Sequence, residues 1–329
     1  MYHRRVLQET LVEKSGVFEE KDLARVLVTG GAGFVGSHIV DGLLAKRHEV
    51  LVVDNLSSGT RANLSANVDI VETSVVDDAF LKAAKSYRPD VISHLAAQSS
   101  VPVSMSDPNL DARVNIIGGL NVIRGAIEAE CEQVVYVNTG GALYGEPEYL
   151  PCDEDHPIRP ISAYGLSKWT AECYFRTMLP DSILLKVLRP ANIYGPRQDP
   201  HGESGVIAIF LRKMLCGDQV TINGDGEHTR DYVYVGDVVE AHETAMKHDE
   251  SFVANIGTGQ GTSVNEIFLH LQKVTGYSEP AIHGPPRPGD VRHIALDASR
   301  ARQVLGWEPK VGLVEGLKMT AESMRNADE

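Results

Sequence analysis

The sequence predicts an α/β protein, a doubly wound parallel sheet followed by a smaller C-terminal lobe. Three observations carry this prediction. Short apolar runs rich in β-branched residues recur along the chain, helix-length amphipathic segments separate them, and glycines crowd the turn after the first run. The first run is Arg25-Val26-Leu27-Val28-Thr29. Val50 to Val53, Val91-Ile92-Ser93, Val134 to Val137 and Ile183 to Leu188 follow it. Each is brief and nearly continuous in hydrophobicity, as strands covered on both faces are. The segments 35–46, 111–130 and 163–178 lie between them with helical periodicity. Such alternation needs crossover connections, which give parallel strands with helices on both faces. Residues 25–195 thus read as one domain. After Pro196 glycine and proline cluster (Asp199-Pro200-His201-Gly202, Asn223-Gly224-Asp225-Gly226, Gly284 to Gly289), marking 196–329 as a lobe of shorter elements, some returning to the first domain. Residues 1–24 are polar and mixed in charge and read as an N-terminal extension.

Composition narrows the function. At 329 residues the chain suits about two domains, and with 43% hydrophobic and 23% charged residues it needs no disulfide staples. No apolar run approaches the roughly 18–20 residues of a membrane helix. Asp plus Glu outnumber Lys plus Arg 45 to 31, a net charge of −14 that repels nucleic acid and anionic lipid alike. Cys131, Cys152, Cys173 and Cys216 form no CxxC pair, and the N-terminus carries Glu9, Glu13, Glu19 and Glu20 without an apolar signal core. The expectation is a cytoplasmic protein with no metal site.

Thr29-Gly30-Gly31-Ala32-Gly33-Phe34-Val35-Gly36 follows the first strand and opens a helix. In that context Gly30 serves a tight turn, Gly33 a close approach to a pyrophosphate and Gly36 the helix–strand contact, the pattern of a dinucleotide-binding Rossmann sheet. Asp54 ends the second strand eighteen residues past Gly36. A carboxylate there accepts from the adenosine ribose and repels a 2′-phosphate, which favours NAD over NADP. Arg61 is the nearby cation that could argue otherwise, and it reads as a solvated loop residue. Asp77, after a third apolar run, is placed to face the adenine amino group.

Tyr164-Gly165-Leu166-Ser167-Lys168 sets a phenol and an ammonium four residues apart, on one face if the segment is helical. To act as a base near neutrality a tyrosine must drop about 3 units from its usual pKa of about 10, roughly 4 kcal/mol. One positive charge at about 4 Å supplies that much at an effective dielectric near 20, so Lys168, helped by the nicotinium charge, is read as the cause. Thr139, at a strand end leading into Gly140-Gly141, is positioned to share a hydrogen bond with Tyr164 and orient a substrate hydroxyl.

With these residues in view, the sequence resembles the extended short-chain dehydrogenases/reductases, and among them the nucleotide-sugar epimerases of the UDP-glucose 4-epimerase type. The motifs are TGGAGFVGSH, DNLSSG from Asp54, HLAAQSSV from His94, NTGGALYGE, YGLSK, LRPANIYGPRQDP from Leu188, GDGEHTRDYVYVGDV and NIGTG from Asn255. The resemblance implies that hydride leaves the sugar C4 for NAD while Tyr164 takes the hydroxyl proton, and that the 4-keto sugar turns over before hydride returns to its other face. It assigns Lys168 also to the nicotinamide ribose, and adds Phe34, Val35, Asn55, Ser57, Gly59, Leu95, Ala96 and Ala97 to the cofactor set. For a UDP-sugar substrate it implies Ser100, Asn192, Val206, the diphosphate clamps Arg230 and Arg287, and the ribose contact Asp290. It further implies a homodimer formed through 111–130 and 163–178, which carry Trp169, Tyr174 and Phe175.

Ser99 stands where relatives of the galactose pathway have a lysine, and Asn138-Thr139 where paired serines are common. Ile294 replaces a tyrosine that closes the sugar pocket, which predicts room for a 2-acetamido sugar. The rivals are a dehydratase, a decarboxylase, a UDP-glucuronate 4-epimerase and a non-catalytic NAD or sugar-nucleotide binder. Gly140-Gly141 cannot move protons where a dehydratase has Asp-Glu. A decarboxylase's glutamate is also missing there, a binder has no use for a tuned phenol, and the uronate epimerase stays open.

Overall fold

The computed structural model describes residues 23–200, 205–286 and 291–327. Strands β1 to β12 are Arg25–Thr29, Glu49–Asp54, Asp69–Glu72, Val91–His94, Gln133–Val137, Leu184–Pro190, Asn192–Tyr194, Thr221–Asn223, Thr229–Tyr234, Phe252–Ile256, Gly261–Ser263 and Ile282–Gly284. Helices α1 to α11 are Phe34–Ala45, Asp78–Tyr87, Val101–Ser106, Pro108–Ala112, Gly118–Glu128, Ala163–Met178, Val206–Cys216, Val235–Met246, Val264–Thr275, Ser299–Leu305 and Leu313–Ala327.

Seven strands form the main sheet in the order β10-β6-β5-β4-β1-β2-β3, all parallel. Side-chain alternation divides its core between two faces. Val26 and Val28 of β1 pack with Ile39, Val40 and Leu43 of α1 and with Val238 and Ala241 of α8. Leu27, between them, points the other way, toward Phe80, Ile123 and Phe175. The chain leaves β1 toward β2 and β3, then crosses to β4 on the other flank. A crevice therefore opens past the ends of β1 and β4, where ligands of such sheets bind.

One feature departs from the simple strand–helix reading. The expected single helix over 111–130 is interrupted by a π-turn at Arg113–Ile117, between α4 and α5. A third core of Tyr194, Phe210, Leu211, Tyr232, Ile267 and Leu317 belongs to the later elements, which build a three-stranded sheet (β11-β9-β7) and the pair β12-β8. From the same stretch, β10 returns to extend the main sheet beside β6. Among the described residues no helix is long and apolar enough to cross a membrane.

Candidate active site

Two adjoining cavities lie along the strand ends. The larger, ≈ 1120 Å³, runs over the glycine turn and the ends of β2 and β4. The smaller, ≈ 720 Å³, lies between that edge and the later elements. Ser99, Asn138, Tyr164, Ile193 and Gln198 line both, so Tyr164 stands where the two meet.

The larger cavity fits a dinucleotide. Gly30 has φ +71°, and a Cβ on it would lie 2.6 Å from the amide nitrogen of Ala96; one on Gly36 would lie 2.1 Å from the Gly30 carbonyl oxygen. Gly33 begins α1 without a side-chain cap, so the first-turn N–H groups are left for an anion. Asp54, 7% exposed, accepts from the N–H of Ala32 (2.9 Å) and of Leu56 (2.8 Å), pinning the turn to β2. The Arg61 guanidinium donates to the carbonyls of Ser65, Ala66 and Val68, so it is engaged within its own loop. Gly30, Gly33, Phe34, Val35, Gly36, Asp54, Asn55, Ser57, Leu95, Ala96, Ala97, Tyr164 and Lys168 all line this cavity. Gly59 and Asp77 are not among the lining residues. Gly59 packs on the Ala32 backbone, and the Asp77 carboxylate accepts from the Ser74 N–H at 3.3 Å, leaving Thr73, Ser74 and Val75 at the wall.

At the junction, Ser162 caps α6 through the Gly165 N–H (3.1 Å), which sets Tyr164 and Lys168 one turn apart on the inner face. Thr139 hydrogen-bonds the Tyr164 phenol. The ammonium of Lys168, 3% exposed, donates to the Val137 carbonyl (3.0 Å) and lies 4.5 Å from the Tyr136 ring centroid. Burial pushes Lys168 down to about 7, against the carboxylates of Asp111 and Glu172. Burial likewise pushes Tyr164 up to about 12; the Thr139 bond lowers it and Asp111 adds to the rise. Among the protein's own groups burial dominates, so the acidification expected of Lys168 rests on the nicotinium charge acting with it. Desolvation outweighs the pairing, and a lysine that is itself depressed toward neutrality is a weaker electrostatic partner.

Behind the strand end sits a buried polar chain. Asn138 donates to Glu172 (2.6 Å), which receives two bonds from Arg189 (2.6 and 3.0 Å); Arg189 reaches the Tyr144 hydroxyl, and that hydroxyl donates to Asn255 at 2.7 Å. These contacts fix the backbone from which Thr139 projects.

On the substrate side Thr139, Asn192, Val206 and Arg230 line the smaller cavity. Ser100 instead caps α3 and faces the larger one, while Ser99 reaches both. Arg287 and Asp290 lie outside the described residues. Ile294 does not bound the pocket: it is 2% exposed, its N–H pairs with the Thr229 carbonyl, and its side chain joins the core beside Leu296. Val291 lines the cavity from that segment, so the argument for acetamido room does not stand on Ile294.

A family profile of NAD-dependent epimerases and dehydratases matches residues 26–257. The chain belongs to this family. A UDP-glucose 4-epimerase of Mycolicibacterium smegmatis is 43% identical over 317 residues, covering 93% of this chain and 100% of the relative. Among solved structures, the UDP-glucose 4-epimerase of Thermotoga maritima with UDP-glucose superposes with a TM-score of 0.89 at 48% identity, covering 93% of this chain and 100% of the other. The Thermus thermophilus UDP-glucose 4-epimerase in complex with NAD gives 0.86 at 43% identity, with 92% and 99% covered.

For this epimerase/dehydratase chain, sequence reasoning missed Asp111, Asn115, Glu172 and Arg189. Glu172 stands four residues after Lys168, the spacing of a solvated helical pair, yet it is fully buried. Asp111 was the first residue of an amphipathic segment, with nothing nearby in sequence to mark it as internal.

Proposed function

We propose that the chain is an NAD-dependent C4 epimerase of UDP-glucose and UDP-galactose. One observation carries the reading: Tyr164, hydrogen-bonded to Thr139, stands at the junction of a dinucleotide-shaped cavity and a second cavity that contains Arg230. Bound NAD supplies a reversible hydride acceptor. Thr139 holds the C4 hydroxyl against Tyr164, whose oxygen takes the proton and, once the 4-keto sugar has turned over, returns it to the C4 oxygen. Lys168, its charge sustained by Asp111 and Glu172 against burial, supports the ionised phenol in its protonated form and binds the nicotinamide ribose. Arg230 anchors the diphosphate while the sugar turns, its guanidinium already steadied by the Thr229 carbonyl at 2.9 Å. Past Thr139, Gly140 and Gly141 offer no proton carrier for loss of water.

The reading includes a homodimer. Ile117, Ile127, Leu166 and Met178 are 44–56% exposed around α5 and α6, whereas Phe175 belongs to the core. It also includes a cytoplasmic setting, supported by four unpaired cysteines.

The test incubates purified protein with UDP-glucose, UDP-galactose, their acetamido analogues and UDP-glucuronate, and follows the products by NMR. Interconversion of the first two without net NAD consumption is the expected result. Loss of water or carbon dioxide, or binding without turnover, defeats the reading.

A further inference from the structure

One buried carboxylate near the reaction centre has no part in the scheme above. Asp111 is 1% exposed in the short helix α4. Its Oδ1 accepts from the Gln98 side-chain amide (2.9 Å) and the Asn115 side-chain amide (3.0 Å). Both donors lead to the site. The Gln98 amide brackets the Ser100 backbone, donating to its carbonyl (2.9 Å) and accepting from its N–H (2.7 Å), so it holds the loop that carries Ser99. Asn115 sits in the π-turn and donates to Ser167 Oγ (3.0 Å), which donates to the Tyr164 carbonyl (3.0 Å). The wide turn brings Asn115 to this crossing point, a use to which π-bulges are often put.

We propose that Asp111 is a positioning residue of the reaction centre: its carboxylate ties the loop at Ser99 to the start of α6 and fixes the charge balance of the Tyr164–Lys168 pair. The inference rests on the epimerase reading for its rate measurements only. The groups facing the pair are few. Asp111 comes from α4, Glu172 from the next turn of α6, His94 from β4, Tyr136 from β5 and the Thr139 hydroxyl from the strand end. His94 is held neutral by burial and by Lys168. Asp111 and Glu172 are thus the carboxylates acting on Lys168, and Asp111 is the one that also opposes ionisation of Tyr164.

Asp111→Asn isolates the charge. Both bonds end on the same oxygen, so an asparagine can keep them while losing the negative charge. A purely structural Asp111 then predicts a variant that behaves as the parent does. The proposal predicts that both limbs of the kcat/KM pH profile move to lower pH, each by about one unit. Removing the carboxylate eases ionisation of Tyr164 on the acid limb and weakens protonation of Lys168 on the alkaline limb.

A second readout needs no turnover. In NAD-free protein carrying 13C at lysine Cε, with the Lys168 signal assigned through Lys168→Met, the Lys168 midpoint is expected to fall in Asp111→Asn. Superimposable pH profiles and an unmoved midpoint overturn the proposal. A moved midpoint in a protein that epimerises nothing upholds it and removes the epimerase reading instead. If Asp111→Asn does not fold, Asp111→Ser is measured in the same way. Failure of both to fold makes Asp111 a folding residue and overturns the proposal.

Discussion

The glycine turn and the reaction centre lie within one crevice but are built by different means. At the turn, consecutive residues of one loop do almost everything: positive φ at Gly30, contact without a Cβ at Gly36, and free N–H groups at the start of α1. At the reaction centre, charged groups from α4, β6 and α6 are drawn out of water and held against one another. Dinucleotide binding therefore depends on backbone shape, whereas proton transfer depends on desolvated charges whose balance no single segment sets.

Breaking each side separately sharpens that contrast. Tyr164→Phe is expected to cut kcat by about 10³-fold, within the range for loss of a general base, while bound NAD stays at parental stoichiometry. Retention of more than a tenth of parental turnover would remove Tyr164 from its role. Glu172→Gln leaves Arg189 buried without its counter-charge and should destabilise the fold by about 3–5 kcal/mol in urea unfolding. Asp225→Asn breaks an equally direct pair with Arg292, but on the surface, and should leave the melting temperature unchanged. Equal losses from the two variants would mean that burial is not what distinguishes the pairs.

Gly36→Ala attacks the turn instead. With a Cβ 2.1 Å from the Gly30 carbonyl oxygen, it should destabilise by about 1–3 kcal/mol and lose NAD on gel filtration, without moving the pH profile of whatever activity remains. The last test concerns stability and pH. Burial lowers Lys168 to about 7 and Lys186 to about 8 in the folded protein. An unfolded lysine titrates near 10.4, so the unfolded chain binds more protons across about pH 7–10. Stability of NAD-free protein should therefore rise with pH from about 7 to about 8.5, and Lys168→Met should flatten the rise. Above that the buried Cys131 and Cys152 thiols, whose pKa values are raised by burial, oppose it. A parental curve that is flat there contradicts the assignment.

How much could be read in advance follows the same division. The strands, the extent of α6 and the turn were legible because period, capping and glycine spacing act between neighbours in sequence. Thr139, Tyr164 and Lys168 were legible as a set because the α6 start faces the end of β5 in a sheet of this order. Asp111 and Glu172 were not, since burial of Asp111 is decided by the packing of α4 against α6 and that of Glu172 by Arg189 of β6. Nor was the balance at Tyr164, because a tyrosine–lysine spacing specifies proximity and says nothing of dehydration. Ile294 shows a further limit: a position can match the gate of a relative while its side chain turns into the core.

The return of β10 to the main sheet has a consequence for synthesis. Its partner β6 ends at Pro190, but β10 is complete only at Ile256. Until those residues leave the ribosome, the nascent sheet presents β6 as an open apolar border with unmet amide and carbonyl groups, a template for stray pairing between chains. A gene truncated near residue 195 would leave that border permanently open, so the first part of the chain is not a portable cofactor-binding module.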